Sequence, residues 1–184
     1  MPQLGSGHKI LALNVKISSL IYRNGSLWAV EKIYLEARST IRSAIQWWQI
    51  SPPGTIIQRG LIDDPTAVLF YNYPSLAVNK FNDVLIGYNR FSKNQYVSAN
   101  YAFRAGSDPP NTLRSDTVLK AGEGFYSNTD GFLKNEWGDY SNTCVDPVND
   151  LDLWTIQEYP TPPTAEGKGI WATWWGRIVP PANP

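Results

Sequence analysis

The chain has 184 residues, which is long enough for one domain with a sizeable core. Its 16 basic residues balance its 16 acidic residues, so the sequence shows neither the basic field of a nucleic-acid-binding protein nor an acidic partner-binding tail. Cys144 is the only cysteine, which excludes a disulfide within the chain and is compatible with a reducing compartment.

No apolar run in the sequence is as long as the ~18 residues that a membrane-spanning helix needs. The first residues, MPQLGSGHKILALNVK, lack the long apolar core and the small-residue cleavage site of a signal peptide. The sequence as given therefore predicts a cytoplasmic protein with no membrane partner.

The first 60 residues predict a leading strand followed by four strands that pair in chain order. Asn24 and Gly25 mark the turn of the first hairpin, because both residue types accept a positive φ angle. The segment over residues 34–40 is too short to form an isolated helix and is predicted to be a loop. The predicted strands cover residues 10–15, 19–22, 26–33, 43–50 and 55–59.

The same plan returns twice, and each copy begins with a serine. These residues are Ser19, Ser75 and Ser141, which lie 56 and 66 residues apart. The second copy predicts strands over residues 74–79, 84–91, 97–104 and 117–121. The third predicts a hairpin over residues 141–159 and a strand over 170–178, with no fourth strand after it. Self-similarity at such a period indicates a repeat architecture.

Repeated four-stranded antiparallel units with almost no helix predict an all-β fold, a β-propeller fragment of three four-stranded blades. The blades are expected over residues 17–60, 73–122 and 139–179 of a single domain. The strand at residues 10–15 is expected to supply the missing fourth strand of the third blade, either in its own chain or in a partner. Exchange with a partner is favoured, because this strand leads directly into the first blade.

Three blades do not close a ring, since propellers have ~4–8 blades. The two open ends would expose apolar sheet surface to water, which is unfavourable and usually marks an interface. The pairs Trp47-Trp48 and Trp174-Trp175 are expected to pack between blades. A homodimer with two-fold symmetry would make a six-bladed ring. The alternative is that the chain is a piece of a longer propeller.

Several short motifs resemble those of bacterial β-propeller repeat proteins, which are often secreted, are of largely unknown function and are distantly sialidase-like in shape. The matching residues are Tyr73-Pro74-Ser75, Ala77-Val78-Asn79, Ala121-Gly122-Glu123-Gly124, Gly138-Asp139-Tyr140-Ser141, Val145-Asp146-Pro147, and Trp154 with Glu158-Tyr159. The resemblance covers most of the chain from about residue 17, and it implies the propeller fold.

Two long loops, over residues 60–73 and 122–140, lead into the first strands of the second and third blades. Loops at this place crowd one mouth of a propeller channel, and long loops in compact folds are often functional. Carboxylates beside aromatic rings are typical of sites that bind or hydrolyse glycans. The predicted ligand-binding residues on these loops are Asp63, Asp64, Tyr71, Tyr73, Tyr126, Trp137 and Tyr140, and the candidate catalytic carboxylates are Glu123, Glu136 and Asp139.

Arginine is a further candidate for ligand binding, because its guanidinium group binds a carboxylate bidentately, as in the three-arginine sites of six-bladed sialidases. The chain offers Arg42, Arg104 and Arg177. Arg104 and Arg177 lie at equivalent places in the repeat and are included among the candidate ligand-binding residues. Repeat equivalence favours a structural role for them, and the Asp-box turn of sialidases is absent.

Metal and cofactor sites have little support in the sequence. Asp146, Asp150 and Asp152 are weak candidates for a Ca²⁺ site, but the glycine and distal glutamate of an EF-hand are missing, and a turn capped by aspartate is favoured. His8 is the only histidine, which excludes a site with several histidines within one chain. No phosphate-binding glycine motif is present, and no cofactor is expected.

Two hypotheses for the function follow. The first is a non-enzymatic binding or scaffold protein, a dimeric propeller that binds a small molecule or glycan at the channel mouth. The alternative is a glycan-active hydrolase that uses carboxylates of the loops. The near absence of histidine and of a recognisable catalytic motif favours the first.

Overall fold

The computed structural model describes residues 1–12, 15–37, 40–128 and 135–181 of the chain. Eleven strands and no helix occur in this part of the chain, and the all-β prediction is confirmed. The strands are β1 (Ile17–Arg23), β2 (Ser26–Ala37), β3 (Thr40–Ile50), β4 (Ile56–Ile62), β5 (Phe70–Val78), β6 (Val84–Ser92), β7 (Gln95–Arg104), β8 (Thr117–Lys120), β9 (Asn142–Val145), β10 (Leu153–Pro160) and β11 (Trp171–Ile178).

The strands form three antiparallel sheets in chain order. The first sheet has the order β1-β2-β3-β4, the second β5-β6-β7-β8 and the third β9-β10-β11. Asn24 and Gly25 have positive φ angles of 49° and 76°, as predicted for the first hairpin turn. Asn82 and Asp150 have positive φ angles in the corresponding turns of the other two sheets. Asn, Asp and Gly therefore set the three tight turns that join the first two strands of each sheet.

The second sheet lies between the other two, because its strands alternate apolar side chains toward both faces. On one face, Leu76 and Ile86 join a cluster with Trp28 and Trp47 of the first sheet. On the other face, residues that include Ala77 and Leu85 join a second cluster with Leu153 of the third sheet. The strands β5 and β6 are thus almost wholly buried.

Gly87 marks a close approach between the second and third sheets. A Cβ atom at this position would lie 2.1 Å from Thr155 Oγ1 and 2.4 Å from Gln157 Nε2. Both distances are too short for any side chain, so glycine allows the polar side chains of β10 to reach the backbone of β6.

Hydrogen bonds tie the three hairpin turns together. The Arg23 side chain in the first sheet forms an ion pair with Asp150 in the third. Asn24 Nδ2 donates to the carbonyl oxygen of Asn79 over 3.0 Å, and Asn79 Nδ2 donates to the carbonyl oxygen of Leu151 over 2.9 Å. The turns of all three sheets consequently meet at one end of the stack.

The prediction of a loop over residues 34–40 is wrong. Strand β2 continues through Tyr34 to Ala37, and β3 begins at Thr40. Tyr34 is paired with Ser43, and the pairing continues in register to Ala37 and Thr40. Cross-strand pairing has overridden the weak helical preference of this segment. Arg38 and Ser39 lie outside the described residues.

The predicted strand over residues 10–15 is absent from the described part of that segment, and the third sheet keeps three strands. Of the two expected ways to complete this sheet, the chain's own residues supply no fourth strand within the described part of the chain. The backbone N–H of Ile10 donates to the carbonyl oxygen of Met1 over 2.9 Å, and that of Leu11 donates to Asn135 over 2.8 Å. These bonds, and the burial of Ile10 beside Tyr73, hold the segment against its own chain. Leu13 and Asn14 lie outside the described residues.

Candidate ligand site

A cavity of about 210 Å³ lies between the loop that precedes β9 and residues of β10 and β11. It brings together five of the predicted site residues. Its lining consists of Tyr126, Asn128, Glu136, Trp137, Gly138, Asp139, Tyr140, Glu158 and Trp171. All the predicted site residues of the second long loop except Glu123 therefore line this one cavity.

Two pairs of aromatic rings form the walls of this cavity. Tyr126 and Trp137 are buried and meet edge to face at 5.0 Å between ring centroids. Tyr140 and Trp171 are stacked at 4.7 Å, and both keep exposed surface. Trp137 Nε1 donates to Asn89 Oδ1 over 3.1 Å, which anchors the loop to the second sheet. The cavity thus has one buried aromatic wall and one exposed aromatic wall.

Glu158 on β10 holds the loop in place. Its two carboxylate oxygens accept hydrogen bonds from the backbone N–H groups of Gly138 and Tyr140, over 2.9 and 2.8 Å. Burial raises the pKa of Glu158, although these N–H donors act in the opposite direction. Because both oxygens have backbone partners, Glu158 is a positioning residue for the loop.

The Glu158→Gln variant is expected to change how stability depends on pH. A raised pKa means that the folded protein holds a proton that the unfolded chain has already lost, so the unfolding free energy falls as pH rises from the ordinary glutamate pKa of about 4.3 through the raised value. The variant has no carboxyl group that titrates at this position. Its unfolding free energy should therefore fall less than that of the wild type over the same pH window. Chemical denaturation at a series of pH values measures this, and equal falls in both proteins would contradict the assignment.

Glu136 and Asp139 are the exposed carboxylates of the cavity. Within the described part of the chain, neither side chain accepts a hydrogen bond or forms an ion pair, in contrast to Glu158. An exposed carboxylate can accept hydrogen bonds from hydroxyl groups, and an aromatic ring can pack against an apolar face of a ligand. The cavity therefore combines groups that suit a compact molecule with several hydroxyl groups.

A second cavity, of about 350 Å³, adjoins the first and shares Gly138 and Asp139 with it. It lies where the first strand of each sheet begins. Ser19, Ser75 and Ser141, the three serines that open the repeats, all line it. The internal repeat thus places one serine of each sheet beside a common space.

The remaining predicted residues of the first long loop have roles inside the fold. Asp63 receives two hydrogen bonds from the Arg42 guanidinium group, at 2.7 and 2.8 Å. Asp64 accepts from the backbone N–H groups of Thr66, Val68 and Leu69, as a turn-capping residue does. The structure brings neither carboxylate into the two cavities just described.

The predicted tyrosines of β5 are core residues. Tyr71 is buried and meets Tyr88 edge to face, and burial raises the pKa of Tyr71 to about 12. Tyr73 is also buried, and its hydroxyl group donates to the carbonyl oxygen of Leu11. Tyr73 lines the second cavity, whereas Tyr71 lines neither cavity.

The three arginines do not converge. Arg42 pairs with Asp63, and Arg177 pairs with Asp152. Arg104 is buried and donates to the carbonyl oxygens of Ala105 and Asp108. Each arginine acts within its own sheet, so a site with three arginines around one carboxylate is not formed.

The candidate Ca²⁺ ligands and Glu123 also bind other protein groups. Asp150 pairs with Arg23, Asp152 with Arg177, and Asp146 accepts from Trp154 Nε1 over 3.0 Å. No cluster of three His, Cys, Asp or Glu side chains that could hold a metal ion occurs among residues 1–12, 15–37, 40–128 and 135–181. Glu123 pairs with Lys120 over 2.5 Å and lies outside both cavities.

Sequence reasoning missed Asn128, Glu158 and Trp171 as lining residues of the 210 Å³ cavity. Glu158 and Trp171 come from β10 and β11 and lie 18 and 31 residues after Tyr140, the last residue of the loop. Glu158 belongs to one of the short motifs quoted above, which was the available signal. A larger cavity, of about 590 Å³, lies between the N-terminal residues and the first sheet and contains none of the predicted site residues.

None of the family models, curated protein sequences or solved structures with which the chain was compared matches it. The described residues include no helix that is long and apolar enough to cross a membrane.

Proposed function

We propose that this chain is a three-bladed half of a six-bladed β-propeller made by two copies, and that the ring is a binding protein for a small polyhydroxylated molecule such as one sugar unit of a glycan. Three stacked antiparallel sheets, each with its first strand beside the first strand of the next, support the propeller architecture. The blade boundaries are those of the three sheets. The segment over residues 10–12 is packed on its own chain, so the proposed ring forms without strand exchange.

The observation that carries the binding role is the convergence of Glu136 and Asp139 with aromatic rings in one cavity of about 210 Å³. Ligand pockets usually measure ~300–1,000 Å³, so this cavity suits a single ring-sized group. In the proposed ring, the first strands line the central channel. The adjoining serine-lined cavity would connect that channel to the ligand cavity. A sugar ring offers hydroxyl groups to the carboxylates and an apolar face to the rings.

The burial and the hydrogen-bond partners of the cavity's carboxylates favour binding over hydrolysis. A glycosidase needs one carboxylic acid whose pKa is raised by burial and which is free to donate its proton. Glu158 is the buried carboxylate of this cavity, and both its oxygens are taken by backbone N–H groups. Glu136 and Asp139 are exposed.

A panel of monosaccharides and short glycans, titrated against the protein by calorimetry, tests the proposal. At least one sugar should bind, and Asp139→Ala and Glu136→Ala should each weaken binding at least tenfold. Glu123→Ala is the matched control, because this carboxylate lies on the same loop but pairs with Lys120 outside both cavities.

Three results would overturn the proposal. The first is that no sugar of the panel binds. The second is that Glu123→Ala weakens binding as much as Asp139→Ala does. The third is turnover of aryl glycosides that Glu136→Gln abolishes, which would establish the hydrolase instead.

A further inference from the structure

The stack of three sheets ends in two uncovered apolar faces. The outer face of the first sheet carries Leu20, Tyr22, Leu27, Trp48 and Leu61, and the outer face of the third sheet carries Cys144, Trp154, Ile156, Trp175 and Arg177. Tyr22 and Trp175 are 66% and 64% exposed. Large apolar surfaces of this kind usually mark an interaction site.

The strand register shows which positions of the first sheet are left open. Tyr22 pairs with Leu27 beside the first hairpin turn, as Val78 pairs with Val84 in the second sheet. Val78 is 1% exposed, because the first sheet packs on it. Tyr22 therefore occupies a position that is buried when another sheet lies on the same side.

The third sheet shows the complementary position. Trp175 pairs with Ile156, as Trp47 pairs with Val30 in the first sheet. Trp47 is fully buried, because it faces the second sheet. Trp175 is the same residue type at the equivalent position, on the side of the third sheet that points away from the second.

We propose that the outer face of the third sheet packs on the outer face of the first sheet of a second copy, in the same way as the first sheet packs on the second and the second on the third. This inference rests on the proposed two-copy ring and names its interface. The occupant is a second copy because each open face has the residue pattern of a face that is buried inside this same chain. Two such contacts, related by a two-fold axis, would close the ring.

The repeat also predicts which residues meet across this interface. Cys144 pairs with Trp154, the second residue of β10, as Ala77 pairs with Leu85, the second residue of β6. Ala77 lies in one cluster with Val145, which is the partner of Leu153 beside the third hairpin turn.

In the first sheet, the pair Tyr22 and Leu27 takes the place of Val145 and Leu153. Cys144 of one copy should therefore face Tyr22 of the other. The first strands of neighbouring sheets already lie side by side within this chain, and a disulfide needs Cα atoms about 4.4–6.8 Å apart.

Disulfide formation in the full chain carrying Tyr22→Cys tests this contact. With oxidised glutathione, the introduced thiol and Cys144 of the second copy should lose two protons and two electrons to form one disulfide, while one oxidised glutathione is reduced to two thiols. A non-reducing gel should show a covalent two-chain species. Tyr22 is mostly exposed in one copy, so the variant should fold, which circular dichroism checks.

Two control variants show whether the cross-link is specific to Tyr22→Cys and Cys144. Val148→Cys places a thiol at a 93% exposed turn position away from both faces and should give no two-chain species above the wild-type level. Tyr22→Cys combined with Cys144→Ser should lose the species that Tyr22→Cys gives.

The inference is overturned if the protein has the mass of two chains in solution but Tyr22→Cys cross-links no more than Val148→Cys. That result would leave the proposed ring of two copies intact and would reject only the assignment of its faces. A single-chain mass at every concentration would instead reject the ring itself.

Discussion

The Trp47→Ala variant is expected to lose ~3–5 kcal/mol of unfolding free energy, the usual cost of truncating a buried large aromatic side chain. Trp47 is fully buried in the cluster that joins the first and second sheets. Its indole ring is closely packed, since a Cβ atom at Gly60 would lie 2.6 Å from Nε1. The substitution would weaken the packing between the first and second sheets. Chemical denaturation measures the lost unfolding free energy.

Trp175→Ala is the matched comparison, because it makes the same substitution at the equivalent position of the third sheet. Trp175 is 64% exposed in one copy, so the unfolding free energy of the single chain should change by about 1 kcal/mol or less. The same variant should weaken the association of two copies. Equal losses of single-chain stability in the two variants would contradict the assigned positions of the two tryptophans.

The Asn79→Ala variant is expected to lose about 2–4 kcal/mol, since buried groups that lose a hydrogen-bond partner cost ~1–3 kcal/mol each. Asn79 is fully buried in the second hairpin turn. Its Oδ1 accepts from the backbone N–H groups of Phe81 and Asp83, and its Nδ2 donates to Asp83 Oδ2 and to the carbonyl oxygen of Leu151. Denaturant titration measures the loss.

Lys80→Ala is the control for Asn79. Lys80 is the next residue, is exposed and makes one side-chain hydrogen bond, to the carbonyl oxygen of Asn149 over 3.2 Å. Its substitution should change the unfolding free energy by ~0.5 kcal/mol or less. If Asn79→Ala were equally mild, the turn would not depend on the amide network.

The regular parts of the fold were predictable because local sequence signals and pairing agree there. Asn24 and Gly25 specify a tight turn by their backbone preferences, and the strands on either side of it pair with each other. The spacing of three serines indicated the internal repeat, and the structure places Ser19, Ser75 and Ser141 around one cavity. Several strand ends differ from the predictions by a few residues, as at β5, which begins at Phe70.

The wrong predictions arose where a local pattern competes with contacts that are distant in sequence. Residues 10–12 are apolar like a strand, but their backbone groups bond to Met1 and Asn135, which no periodicity reveals. Tyr34 lies in a segment with a weak helical preference, but it pairs with Ser43 on the neighbouring strand.

Only part of the candidate site was predicted, because some of its residues meet through contacts that are distant in sequence. Glu136, Asp139 and Tyr140 are neighbours in one loop and were found together. Glu158 and Trp171 reach the cavity from β10 and from the start of β11, and only the folding of the third sheet brings them to the loop. Asp63 carried the same sequence signal as Asp139 but pairs with Arg42 inside the fold. Residue type and loop position therefore do not separate a ligand carboxylate from a structural one.

Sedimentation equilibrium over a wide range of protein concentration tests the central claim most directly, because that claim is that the chain is half of a closed ring. The account predicts one associated species with twice the 20.6 kDa mass of a single chain. It also predicts that Trp175→Ala shifts the equilibrium toward the single chain. A mass of one chain at every concentration, or an open series of ever larger species, would contradict it.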